Sequence, residues 1–234
     1  MERDQLFQRI ADRLGRPMAT TAPARAVRGV SETYANAPYG HDAGAVDRVT
    51  RFAAELDALG GHATIVETPA GASQALKDLL DTLAPNTIIT WERKDFADFN
   101  IEWLWDDRHA RSWVAENPKA EEASLRDAAE RADIGLTLAD AAIANTGTLM
   151  LWTTPQHARS VSLLPTAHIA IVRESQLVDR MGQALAKVTA LAHGDVPSSV
   201  HFITGPSRSS DIENDLSIGV HGPAALYAIL CRGC

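Results

Sequence analysis

Cysteine is scarce in this chain: two in 234 residues, Cys231 and Cys234, both within the closing "CRGC". Such neighbours cannot staple a domain of this size, so the fold must rest on its apolar core. Clustered cations are missing too. Lys and Arg total 22 against 30 Asp and Glu, for a net charge of −8 at pH 7 and a pI near 5.4. A nucleic-acid surface gathers Lys and Arg to neutralise phosphates, so this balance argues against one and leaves small molecules or proteins as partners. No apolar run approaches the roughly 18 residues that span a bilayer. The opening "MERDQLFQRIADRL" has no secretory core either, which speaks against membrane insertion and for a cytoplasmic protein. The usual catalytic signatures are absent as well: no G-x-S-x-G, no H-E-x-x-H, and no cysteine near a histidine in a recognisable setting. Without G-x-x-x-x-G-K-[ST], or G-x-G-x-x-G after a strand, no cofactor is bound by a recognisable motif. The C-x-x-C spacing suits redox or metal chemistry, but a cluster or structural zinc takes about four ligands. A thioredoxin-type pair opens a helix, whereas this one closes the chain. It reads as a frayed tail, with a metal or disulfide shared with another subunit as the other reading; no metal site is expected.

What is present is organised as α/β. Leu6, Phe7, Ile10 and Leu14 recur at helical spacing in the first segment, and residues 15–40, rich in Pro, Ala, Thr and Gly, read as a linker arm. The expected division is therefore an arm over 1–40 and a domain over 41–234. Val46, Val49, Phe52, Ala53 and Leu56 form one helical stripe that stops at Gly60-Gly61. "HATIVE", "GASQALKDLLDTL" and "NTIIT" then alternate strand, helix, strand. The aromatic, acidic segment over residues 91–118 is either a lid or a packed insertion, and "KAEEASLRDAAERA" is a surface helix. "DIGLTLADAAIANTGTLMLWT" reads as two strands around a break, "HIAIV" as a buried strand and "QLVDRMGQALAKVTALAH" as a helix. "SVHFIT", "LSIGV" and "ALYAILC" complete the series. Short strands interleaved with helices predict an open, mostly parallel or mixed sheet flanked by helices.

Three polar clusters fall at tight turns or strand ends, where open α/β sheets place ligands. Thr146, Gly147 and Thr148 can aim backbone N–H groups and hydroxyls at one point, or simply make a hairpin turn. Arg159 and Ser160 lie in a polar loop, where a guanidinium can grip a carboxylate or phosphate in two-pronged fashion, cap a carbonyl or pair with an acid. His157 and His168 in the same stretch are structural histidines or acid–base groups. In "FITGPSRSSDIE", Gly205-Pro206 ends a strand, while Ser207, Ser209 and Ser210 offer hydroxyls and Arg208 a charge. A helical turn beginning near Ser209 would make Asp211 and Glu213 its favourable first-turn acids. His221-Gly222-Pro223 is a second tight turn, and Arg208, Asp211, Glu213, Asp215 and His221 between the turns make an acid–base pair or a salt-bridge network.

The runs "ANTGTLMLWTTPQHARSVSLLPTAHIAIV" and "SVHFITGPSRSSDIENDLSIGVHGPAALYAILC" resemble, in order, the lactate-utilization protein C family, whose members share the LUD domain. The likeness extends more loosely back to about residue 41. It implies a fold related to the ribose-phosphate isomerase, glucosamine-phosphate deaminase and CoA-transferase superfamily. It also implies a part in oxidising L-lactate to pyruvate, as a subunit beside partner proteins that carry the iron–sulfur clusters. Many relatives place an acid before T-G-T where this chain has Asn145, and an amide does not serve as a base. The resulting expectation is a pocket for a small carboxylate or phosphorylated ligand built from Asn145, Thr146, Gly147, Thr148, Arg159, Ser160, Gly205, Pro206, Ser207 and Arg208, with Arg208 as the anchor. Should the chain instead be a stand-alone transferase or isomerase, Glu92, Asp140, Asp211 and His221 are its candidate catalytic groups. A regulatory or assembly module without a ligand is the third reading.

Overall fold

The computed structural model describes residues 3–13, 15, 47–113, 118–191, 197–210, 216–218 and 221–234. The linker reading of residues 16–40, Val46, and the acids Asp211, Glu213 and Asp215 lie outside them. The chain divides into two units, Met1–Ala37 and Pro38–Cys234. The first holds helix α1, Arg3–Arg13.

In the second unit, α2 (Arg48–Ala58) starts at Asp47, whose carboxylate accepts the Thr50 N–H at 3.0 Å. Val49, Phe52, Ala53 and Leu56, spaced three or four apart, form its buried stripe. Strand β1 (His62–Val66) leads to α3 (Pro69–Leu83), which Thr68 caps and Pro69 begins. After β2 (Ile88–Thr90) the aromatic segment forms a 3-10 turn over Arg93–Phe99, the one-turn α4 (Trp103–Asp106) and β3 (Arg111–Ser112). This is a packed insertion: Phe96, Phe99, Ile101, Leu104 and Trp113 are buried in the main core. Two of its indoles are satisfied, Trp103 Nε1 by Ser73 Oγ at 3.0 Å and Trp105 Nε1 by Ser112 Oγ at 2.7 Å. Helix α5 spans Pro118–Glu130, with Leu125 and Ala129 turned inward.

The run predicted as two strands makes three: β4 (Ile134–Leu138), β5 (Ala141–Ile143) and β6 (Thr148–Thr153). After α6 (Ser160–Leu163) and β7 (Ala167–Arg173), the helix predicted from Gln176 begins only at Met181. Leu177–Val178 are instead taken as β8, paired parallel with β5, and α7 covers Met181–Thr189. Strand β9 is Ser199–Thr204. Among the described residues no helix starts near Ser209: Arg208–Ser210 (β10) pairs antiparallel with Leu216–Ile218 (β11), so the backbone there is spent on a ladder rather than a helical turn. The last strand, β12, is Ala225–Cys231.

The principal sheet is parallel throughout, in the order β1-β12-β7-β4-β2-β3. A smaller mixed sheet runs β8-β5-β6-β9. The observed class is thus α/β, with the near-continuous apolar strands expected of a sheet covered on both faces. Cys231 is fully buried as the final residue of β12, opposite Val66 and Arg173, and forms a disulfide with Cys234. The frayed-tail reading is therefore corrected, since the tail continues a central strand and Arg232 N–H bonds the Val66 carbonyl at 2.9 Å. Among the described residues no helix is long and apolar enough to cross a membrane.

One close approach governs how α6 sits on the sheet. Gly135 in β4 faces the Val161 carbonyl so closely that a Cβ there would collide with backbone. Gly135→Ala is expected to cost about 1–3 kcal/mol as an overpacked core and to lower Tm by several degrees in a calorimetric melt; an unchanged Tm would mean that α6 is free to retreat.

Candidate functional site

Two hollows meet at the amino ends of β7 and β12, sharing Leu163, His221 and Gly222. The larger, about 620 Å³, is lined by Arg126 of α5, by Arg159 and Ser160 at the start of α6, and by His221. The smaller, about 190 Å³, is lined by His168, Thr204, Gly205, Ser207 and Pro223 among others. The turns are tied together, because Ser207 N–H donates to the Pro223 carbonyl at 2.9 Å. Arg126 and Arg159 thus give the larger hollow a cationic rim suited to an anion.

Two imidazoles lie nearby, His168 in the lining of the smaller hollow and His201 outside both linings. His168 is buried at the start of β7, its Nε2 2.9 Å from Thr137 Oγ1, and burial followed by the charge of His201 pushes its pKa down to about 3. His201 sits 3.0 Å from Ser162 Oγ, and burial together with the Arg159 charge lowers it to about 4. Both are neutral near pH 7, leaving positive charge to the guanidinium groups.

The structure separates residues that were expected to converge. Arg159, Ser160, Gly205, Ser207 and His221 line the joined hollows. Arg208 lies instead against the end of α2, where its Nη2 donates to the Leu59 carbonyl beside Gly60. The Thr146–Thr148 turn also packs on α2: Gly147 has φ +58°, and a Cβ on it would sit 2.5 Å from Leu56 N. Its hydroxyls form a chain, Thr146 Oγ1 to Thr148 Oγ1 at 2.8 Å and on to Thr204 Oγ1 at 2.9 Å, so the turn reaches the hollow only through Thr204. Asn145 N–H donates to the Asp179 carbonyl at 3.3 Å, and its buried Oδ1 has no partner among the described residues. Pro206 joins Gly205 to Ser207 outside the lining.

Two catalytic candidates lie at the opposite, carboxyl edge of the sheet. A cavity of about 230 Å³ is bounded by Trp91, Asp95, Leu138, Ala139, Asp140, His157, Arg173 and Gln176. Glu92 stands next to it in an ion pair with Lys94, while Asp140 lines it. Asp140 Oδ2 accepts the Trp152 N–H at 2.8 Å, yet burial raises its pKa to about 7. Asp95 and His157, 62 positions apart, meet here at 3.0 Å. Sequence reasoning missed Asp95, Arg126, Arg173 and Gln176: none sits in a motif, and each acquires its neighbours only through the sheet. Among the described residues, no three His, Cys, Asp or Glu side chains gather as a metal requires.

Because Asp140 titrates near 7 when folded and near its ordinary 3.8 when unfolded, its protonated form favours the fold below pH 3.8, and that contribution is lost as pH rises through 7. Asp140→Asn cannot ionise. In denaturant titrations its stability should match wild type at pH 4 and exceed it by roughly 2–4 kcal/mol at pH 8. His168 and His201 act with the opposite sign: their contribution, present above 6.5, is lost as pH falls toward 4 and 3.

The architecture is shared with a solved structure. A DUF162 family protein from Deinococcus radiodurans matches with a TM-score of 0.57 over 80% of this chain and 99% of that one, at 24% identity, which shows the α/β fold. Residues 49–231 match the LUD domain. The chain is 33% identical over 97% of its length, and 97% of the relative's, to a Shouchella clausii protein named lactate utilization protein C. A Bacillus subtilis protein of that name is 36% identical, with 72% of each chain covered. The protein belongs to the LUD domain family.

Proposed function

We propose that the protein serves in L-lactate utilization as a cytoplasmic subunit that holds a small anionic ligand in the amino-end hollow, beside partner proteins that carry iron–sulfur clusters. The observation supporting the role is the likeness, along nearly the whole chain, to the Shouchella clausii lactate utilization protein C. Arg126 and Arg159 support the anion, with Ser160 and His221 completing the rim. Arg159 takes the anchoring part first expected of Arg208, which lines neither hollow and lies instead against the Leu59 carbonyl at the end of α2.

Charge-assisted hydrogen bonds contribute about 1.5–3 kcal/mol each, and 1.4 kcal/mol is a factor of ten in affinity. Arg159→Gln should therefore weaken binding of inorganic phosphate roughly 10- to 100-fold in calorimetric titration, with the thermal unfolding curve unchanged. Equal affinity in the variant would remove the anion role. For the physiological role, deleting the gene from its own host should abolish growth on L-lactate but not on pyruvate; undiminished growth on L-lactate would overturn it.

A further inference from the structure

We propose that the carboxyl-edge cavity is a second ligand site, an acid–base pocket for a small carboxylate with a hydroxyl or carbonyl oxygen beside it. Arg173 receives the carboxylate there, and His157, backed by Asp95, exchanges a proton with the neighbouring oxygen. This site is independent of the anion hollow. His168 and Arg173 lie five residues apart on β7, which puts the two sites about 17 Å apart along the strand.

Position is the first argument. Trp91 follows the last residue of β2, Ala139 and Asp140 follow β4, and Arg173 ends β7, so the ends of three parallel strands build one cavity. The crevice outside the carboxyl ends is where open α/β sheets bind ligands. A few convergent polar groups against an apolar wall, here Trp91, Leu138 and Ala139, are the composition of a small-molecule site.

The imidazole is held for use. The His157 ring stacks on Trp91 with centroids 4.4 Å apart, and Trp91 is fixed by its Nε1 bond to the Ala158 carbonyl at 3.2 Å. His157 Nε2 lies 3.0 Å from Asp95 Oδ2, so the carboxylate draws the ring proton to Nε2 and leaves Nδ1 as the acceptor. That Nδ1 is buried and has no partner among the described residues, so a ligand oxygen reaches it only as the ring shifts on its Trp91 stack. An orphaned acceptor costs stability unless a ligand satisfies it.

The guanidinium is positioned but not consumed. Arg173 lies over the Phe99 ring at 4.8 Å and gives one nitrogen to Asp98 Oδ2 at 3.1 Å. Asp98 is 75% exposed, so this is a weak surface pair, and the other donors of the fork stay available for a carboxylate. Burial lifts the Asp140 pKa to about 7, so the carboxyl is about half protonated at pH 7 and more so below it, which reduces the negative charge an entering anion meets. The step balances as proton exchange alone. A hydroxyl O–H bond breaks, an Nδ1–H bond forms, Asp95 balances the imidazolium, and no electrons leave the ligand.

The test follows the His157 ring nitrogens by NMR in the full chain, titrated with pyruvate, L-lactate and acetate. Pyruvate or L-lactate is expected to shift Nδ1 saturably, at least tenfold more tightly than acetate, which has no oxygen beside its carboxylate. Arg173→Gln should weaken the effect tenfold or more, and Arg159→Gln should leave it intact. Arg173→Lys, which keeps the charge but not the fork, should also weaken it and serves if the Gln variant fails to fold. No shift at tens of millimolar, equal binding of acetate, or loss with Arg159→Gln but not with the Arg173 variants would overturn the proposal; the last pattern would assign binding to the amino-end hollow instead.

Discussion

Strand β7 is buried from Ala167 to Val172 and hydrogen-bonded on both sides, to β12 on one flank and β4 on the other. A strand so enclosed cannot slip in register without driving every side chain to the wrong face. Its two ends are therefore fixed in space with little freedom. One end carries His168 into the lining of the smaller amino-end hollow, and the other carries Arg173 into the wall of the carboxyl-edge cavity. Both functional regions take their geometry from this strand, and Gly135 in its neighbour β4 lets α6 settle close enough to bring Arg159 to the rim.

The two edges use burial to opposite electrostatic ends. At the amino edge desolvation keeps His168 and His201 neutral, so the charge presented to a ligand belongs to guanidinium groups that cannot lose it. At the carboxyl edge desolvation lifts the Asp140 pKa to about 7, so that carboxyl is only about half ionised at neutral pH where an ordinary aspartate is a fixed anion. One physical term, the cost of charge in a dry environment, thus sets the charge state of both edges of the sheet.

Periodicity made the elements legible wherever one face is buried. The stripe Val49, Phe52, Ala53 and Leu56, and the apolar run of β7, both announce what they do. The site was legible in its chemistry but only partly in its placement. Arg159, Ser160, Gly205, Ser207 and His221 do line the two adjoining hollows, whereas Gly147 and Arg208, equally suggestive on paper, lie against the backbone of α2 and its end. Turn residues that grip a ligand and turn residues that admit a neighbouring helix share one composition, so only packing distinguishes them. His157 stands out in the sequence but Asp95 carries no local signal, because their partnership depends on where β2 and β6 end. The closing Cys-Arg-Gly-Cys misled for a related reason: its last strand residue lies between two parallel neighbours that are remote in the chain.

Arg232, just past β12, reaches back to the start of α2, donating to Asp47 Oδ2 at 3.0 Å and Thr50 Oγ1 at 3.1 Å. Asp47 accepts both this bond and the Thr50 N–H that begins the helix, and its carboxyl is held well below the usual range by that backbone contact first and by Arg232 next. The first and last described elements of this unit are thereby clasped, and the chain from Asp47 to Arg232 closes into a ring in all but covalent terms. Such a ring has no intrinsic beginning: a short tether across the clasp would let the same architecture be opened elsewhere on its surface, as circular permutation does in domains whose ends adjoin.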